Sequence, residues 1–201
     1  APRRRSWEVV QLSFCKNEIV VAIEAGDYTL FQSVAAEGEE NYTVRVRHAE
    51  IMGVLNRLQG KDVVEIQYDE SKLFVANAPV IVGVWADVAV RRPLPLVPPS
   101  FGLKAKQLRA ICERVAFCAS DDVSRPTVRG VQLVAEKKAV SFAATDGHRL
   151  VRWELDLFPL QKTSVLVPTG AWTILYKLSK KLRDDELILV IFDNDCVQFH
   201  H

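Results

Sequence analysis

The residues richest in chemistry stand together at Thr145-Asp146-Gly147-His148-Arg149, inside the run AATDGHRLVRWELDL. A carboxylate, an imidazole and a guanidinium within four positions can serve three ends. Asp146 and His148 can work as an acid/base pair, they can begin a metal site, or the whole group can be a tight turn that presents a binding surface. A metal site takes three or four ligands. The remaining histidines are His48, placed just before a helix, and His200 and His201 at the chain end. No GxSxG, HExxH, P-loop or GxGxxG pattern stands elsewhere to support catalysis.

The flanking elements must position these residues. β-Branched and aromatic residues predict strands at VRGVQLVA, AVSFAAT, RLVRWELDL and SVLVPT, with LILVIF and CVQFH near the end. The group therefore sits between two strands. The helix LKAKQLRAICERVAF precedes them, with Leu108, Ile111, Cys112 and Val115 as its apolar stripe. A second helix is predicted from about Gly170 to Leu182, with Ala171, Ile174, Leu175, Leu178 and Leu182 inward and Thr169 as N-cap. In the first half, WEVVQLSF, EIVVAIEA, YTLFQSVAA and NYTVRVR read as strands. HAEIMGVLNRL reads as a helix carrying Ile51, Val54, Leu55 and Leu58, and DVVEIQY, KLFVA and VIVGVWADV as further strands. Four prolines in RRPLPLVPPS exclude a helix or sheet interior there. The expected organisation is a domain over 1–90, a linker over 91–100 and a second domain over 101–201.

Sliding the chain by 121 positions places Val10-Gln11-Leu12 on Val131-Gln132-Leu133, Gly26 on Gly147, and Val44 and Val46 on Val165 and Val167. The order of elements agrees, so the two halves are expected to be one α+β fold used twice. A glycine at the same turn in both copies indicates a backbone need such as positive φ. The His148-Arg149 pair belongs to the second copy alone and reads as an addition for function.

Hydrophobic residues make up 49% of the 201 positions and charged residues 25%, with a net charge of +1, the balance of a globular protein. The first hundred residues are slightly acidic and the remainder slightly basic. Contact with nucleic acid must then come from local stripes rather than overall charge. The cysteines at 15, 112, 118 and 196 form no CxxC pair and read as buried reduced thiols of a cytosolic protein. No run of 18 apolar residues exists, so no membrane span is expected. The opening APRRRSW lacks the apolar stretch of a secretory signal.

Glu113-Arg114-Val115-Ala116-Phe117, the Ser120-Asp121-x-x-x-Arg125-Pro126 loop, Gly130-Val131 and Thr145-Asp146-Gly147-His148-Arg149-Leu150 together closely resemble the middle domain of the bacterial DNA polymerase III β subunit, the sliding clamp. The motifs occur in order between Glu113 and Leu150. Residues 1–90 resemble the preceding clamp domain in pattern alone. Against the family, the first domain lacks its opening strand and helix, the middle domain its last strand after Phe199, and the third domain is absent.

The resemblance implies antiparallel sheets outside and helices on the inner face of a ring of six domains around duplex DNA, built as a homo-oligomer. It implies no catalysis, no cofactor and no metal. Lys177, Lys180 and Lys181 on one helix and Lys106, Arg109 and Arg114 on the other would face DNA and attract phosphates without reading bases. The helix of the first half offers only Arg57 at its outer centre. Asp121 and Asp122 beside Arg125 weaken any direct DNA contact by that loop and suit turn chemistry. In the family the TDGHRL segment forms part of a groove for short peptides of the replicative polymerase, the clamp loader and repair proteins. Carried over, the groove would use Val128, Thr145, Gly147, His148, Arg149 and Leu150. A cytoplasmic, nucleoid-associated processivity factor is expected. The alternative is a clamp-like adaptor that binds partner peptides without encircling DNA.

Overall fold

The computed structural model describes residues 9–25, 28–38, 42–58, 63–69, 72–75, 78–83, 98–193 and 196–201. The chain divides into two compact units, Ala1–Pro93 and Leu94–His201. The proline-rich segment expected as a linker lies, up to residue 97, outside the described residues.

In the first unit β1 (Val9–Cys15), β2 (Glu18–Ala25), β3 (Tyr28–Ala35) and β4 (Tyr42–Arg47) form an antiparallel sheet in the order β3-β2-β1-β4. Alternation decides which face is buried. Val10 lies opposite Val46 and Leu12 opposite Val44, and all four are core residues. Helix α1 (His48–Arg57) follows β4 directly and buries Ile51 and Val54. Leu58 packs at the edge of this core, whereas Leu55, expected inward, is exposed, so the apolar stripe is narrower than the spacing suggests. Strands β5 (Ile66–Asp69), β6 (Lys72–Val75) and β7 (Ala78–Gly83) make a second sheet. Phe14, Tyr42 and Tyr68 stack with centroids 4.3 Å and 5.0 Å apart, which ties the two sheets together.

The second unit runs β8 (Phe101–Lys104), α2 (Ala105–Arg114), β9 (Gly130–Glu136), β10 (Ala139–Thr145), β11 (Leu150–Leu155), β12 (Thr163–Pro168), α3 (Thr169–Ser179), β13 (Leu187–Asp193) and β14 (Cys196–His200). One sheet has the order β11-β10-β9-β12 and the other β14-β13-β8, all neighbours antiparallel. The strand before each helix thus joins a sheet begun elsewhere in the unit: β8 pairs with β13, and β12 with β9. Leu103, Leu108, Ile111, Val115, Leu133, Phe142, Trp172 and Val190 share one core. Gly130 is required where β9 meets β12, because a Cβ there would stand 2.5 Å from the Val167 carbonyl oxygen.

The expected repeat is visible in the element bounds. A shift of 121 carries Val9–Cys15 onto Gly130–Glu136, Tyr42–Arg47 onto Thr163–Pro168, and the start of α1 onto the start of α3. Past the helices the hairpin pair Asp69–Lys72 corresponds to Asp193–Cys196, so the second copy is three residues longer there.

Helix α3 departs from its sequence reading. It starts at Thr169 with Pro168 in the cap position and no side-chain cap, because Pro168 is still the last residue of the β12 ladder, opposite Gly130. It ends at Ser179, where Lys181 N–H bonds to Leu178 O and Leu182 N–H to Ser179 O, the tighter pattern that closes a helix. Trp172 is its most buried side chain, and Leu178 is exposed rather than inward.

Candidate functional site

Strands β10 and β11 pair up to Thr145 opposite Leu150, which leaves Asp146 to Arg149 as the connection. The turn is held by its own side chains. Thr145 Oγ1 accepts the Gly147 N–H at 3.0 Å and donates to the Arg149 carbonyl at 2.7 Å. Asp146 Oδ1 accepts the N–H groups of His148 (2.9 Å) and Arg149 (3.0 Å), while Oδ2 accepts Arg149 Nε at 2.9 Å. Gly147 has φ +93°, the left-handed region that favours glycine. The corresponding Gly26 lies outside the described residues.

These bonds hold the Asp146 carboxyl at a pKa of about 2, chiefly through the His148 and Arg149 backbone amides and then through the Arg149 side chain. A carboxyl depressed in the fold supports it above its ordinary value of 3.8 and loses that support as pH falls towards 2. The turn is therefore expected to loosen between about pH 4 and pH 2. Titration of the His148 and Arg149 amide resonances should show one midpoint near the bottom of that window, and Asp146→Asn should abolish it. A midpoint near 4 would show that the amide bonds do not form in solution.

Around the turn the structure gathers further residues. The 3₁₀ turn Pro126–Val128 leads into β9 at the same end of the sheet, which places half-buried Val128 beside that end. Cys118, buried, donates its thiol to the Arg149 carbonyl at 3.6 Å. The Arg149 guanidinium lies 5.3 Å over the ring of Phe117, and Arg125 Nη1 donates to the Asp146 carbonyl at 3.1 Å. Leu150 is 69% exposed and Phe117 55%. Phe117 and the Arg125 side chain were not read as parts of this site; neither residue type nor spacing carries a signal for it. Asp122 caps its own loop, accepting from the Ser124 hydroxyl (2.7 Å) and N–H (2.9 Å), which lowers its pKa.

The basic residues of the two helices divide into two groups. Lys106, Arg114, Lys177, Lys180 and Lys181 are exposed. Lys180 lies 4.2 Å over the ring of Tyr176, and Arg114 4.9 Å over that of Trp153. The Tyr176 hydroxyl donates to Glu113 at 2.8 Å and links α3 to α2. Arg109, expected on the outward face, is instead largely buried. Its guanidinium bonds to the carbonyls of Ser179 and Leu182 and to the Asp184 carboxylate, so it fastens the end of α3 rather than standing open to a phosphate. Burial beside Trp172 pushes the Cys112 thiol up to about 12, with Glu113 adding to the rise. Among the described residues no group of three or more His, Cys, Asp and Glu side chains is placed to hold a metal ion, and no helix is long and apolar enough to cross a membrane.

Two units whose four-stranded antiparallel sheets share one order, each with a second sheet beside it and a helix following the last strand of the four, define a DNA-clamp-type architecture. Residues 102–201 match the family described as DNA polymerase III beta subunit, central domain. A segment of 103 residues is 34% identical to the beta sliding clamp of Streptococcus pneumoniae serotype 4, covering 48% of this chain and 26% of that protein. The fold of the whole chain resembles the DNA polymerase III subunit beta of Pseudomonas aeruginosa, with a TM-score of 0.80 at 19% identity over 99% of this chain and 56% of that one. It also resembles the sliding clamp of Bacillus subtilis, with a TM-score of 0.77 at 17% identity over 100% and 56%. The chain carries, over residues 102–201, the central domain of the DNA polymerase III beta subunit family. It spans about half the length of the solved clamps it resembles.

Proposed function

We propose that this chain acts as part of a DNA sliding clamp, a non-catalytic processivity factor in the cytoplasm at the nucleoid. In this reading its first domain spans 1–90 and its second 101–201. It surrounds duplex DNA together with further clamp domains, from other copies or from partners. Lys106, Arg114, Lys177, Lys180 and Lys181 supply sequence-independent attraction to phosphates. Val128, Thr145, Gly147, His148, Arg149 and Leu150 form a half-groove for the short peptides of a replicative polymerase, a clamp loader and other clamp-binding proteins.

One observation carries the peptide reading. An exposed leucine stands directly beside a turn whose carboxylate, hydroxyl and amides already hydrogen-bond one another. Such an edge is preorganised, so little ordering entropy opposes binding. Both Asp146 oxygens are used as acceptors within the turn, which suits a scaffold better than an acid or base.

The test is shift mapping by NMR with a peptide bearing glutamine followed by leucine and phenylalanine anchors. Resonances of Val128 and of Gly147 to Leu150 should move, and Leu150→Ala should weaken binding by about 1–3 kcal/mol if this leucine is a central anchor. Perturbation elsewhere, with these residues silent at millimolar peptide, would refute the groove. A second reading is a clamp-like adaptor that binds peptides without surrounding DNA. Native mass and retention on circular against linear DNA bear on the choice: a strict monomer that never stays on circles favours the adaptor or an isolated fragment of a clamp.

A further inference from the structure

We propose that Arg125 is the positioning residue of the half-groove, joining its two walls through one side chain and one carbonyl; this rests on the peptide reading above. On one side, its backbone carbonyl accepts the Val128 N–H at 3.2 Å and closes the 3₁₀ turn that carries Val128. On the other, its guanidinium Nη1 donates to the Asp146 carbonyl at 3.1 Å. Its second terminal nitrogen lies where a side chain on Gly147 would begin, 2.7 Å from that Cβ position. The segment bearing Val128 and the turn bearing Gly147 to Leu150 are thus joined through Arg125.

The geometry explains why this residue is an arginine. The guanidinium is a flat fork, so one arm can bond the carbonyl while the other covers the bare α-carbon of Gly147. A lysine supplies the charge and one donor but not the covering arm. Gly147 is required by its φ of +93°, and a Cβ there would in addition displace the Arg125 guanidinium from its place beside the turn. The loop before Arg125 is itself fixed. Asp122 O accepts the Arg125 N–H at 3.2 Å, while the Asp122 carboxylate holds Ser124. Arg125 is exposed and outside the hydrophobic core, so replacing it should leave the unit folded.

The experiment uses the full chain, the glutamine-leucine-phenylalanine peptide and four variants: Arg125→Ala, Arg125→Lys, Gly147→Ala and the double alanine variant. Arg125→Ala should weaken the peptide about fivefold to tenfold, the scale of one ordinary hydrogen bond lost at an exposed site. The Gly147 proton couplings, which report φ, should change in the same variant while the β9 and β13 amides stay in place. Arg125→Lys should recover part of the affinity without restoring those couplings. Gly147→Ala should cost less in the Arg125→Ala background than in the native chain, since only the φ strain then remains. If peptide leaves the native turn unperturbed, the groove reading itself fails. If the native turn responds but Arg125→Ala binds equally well, or the two alanine effects simply multiply, the groove stands and the positioning role is overturned.

Discussion

Trp172→Ala is expected to destabilise the second unit by about 3–5 kcal/mol, the range for a large aromatic removed from a closed core. Trp172 is 1% exposed and sits on α3 between the two sheets. It meets Phe142 of β10 edge-on at 6.1 Å and Phe199 of β14 at 5.9 Å. Removing the indole therefore detaches the helix from both sheets at once. Domains of this size are stable by only about 5–15 kcal/mol, so the variant should lie close to unfolding. Trp172→Phe provides the contrast. Among the described residues the indole N–H meets no acceptor, and a buried donor without a partner costs about 1–3 kcal/mol. Phenylalanine removes that donor while keeping most of the ring, so its loss should be less than half that of alanine. Urea unfolding followed by circular dichroism reads both. An alanine variant within about 1 kcal/mol of the native chain would show that α3 is held from elsewhere.

The second large effect concerns DNA. Replacing Lys177, Lys180 and Lys181 together by glutamine should remove most of the affinity for duplex DNA at low salt. The slope of log K against log salt should fall by about 0.9 for each lysine that meets a phosphate, hence by up to about 2.7. Because all three are exposed, the unfolding midpoint should stay where it is. Arg109→Gln should do the reverse. It releases the Ser179 and Leu182 carbonyls and the Asp184 carboxylate, so it should lower stability and leave the slope nearly unchanged. Titrations at several salt concentrations on random-sequence duplexes decide the matter. Sequence preference, or a slope indifferent to the three lysines, would remove α3 from the DNA-facing surface.

Much of the fold was legible because two periodicities were strong. Alternation in VVQLSF and VRGVQLVA marked β1 and β9, and Gly147 announced a positive φ through its chemistry alone. Helix α3 was harder. Ala171, Ile174, Leu175 and Leu178 make one continuous stripe by spacing, yet Trp172 beside it goes deepest, because its ring reaches both sheets while Tyr176 turns to α2. A helix with neighbours on more than one side has no single inner face for a period to reveal. Arg109 was misread for a related reason. Its partners at Ser179, Leu182 and Asp184 are distant in sequence, and only the packing of α2 on α3 brings them to it. The contacts of Phe117 and Arg125 at the turn are likewise products of folding, invisible to any local pattern.

The exchange of strands within the second unit bears on how it reaches its native state. The pairing of Phe101 with Val190 closes a loop of almost the whole unit, and that of Gly130 with Pro168 a shorter one nested inside it. Loop-closure entropy must be overcome before either ladder gains its bonds, which places the unit among slow, high-contact-order folders. Neither the stretch from β8 to β11 nor that from β12 to β14 can finish a sheet alone, since β8 pairs with β13 and β12 with β9. The unit therefore assembles in one concerted step. While the ribosome still holds the β13 segment, β8 has no partner, and its open edge is what the nascent chain exposes to its surroundings.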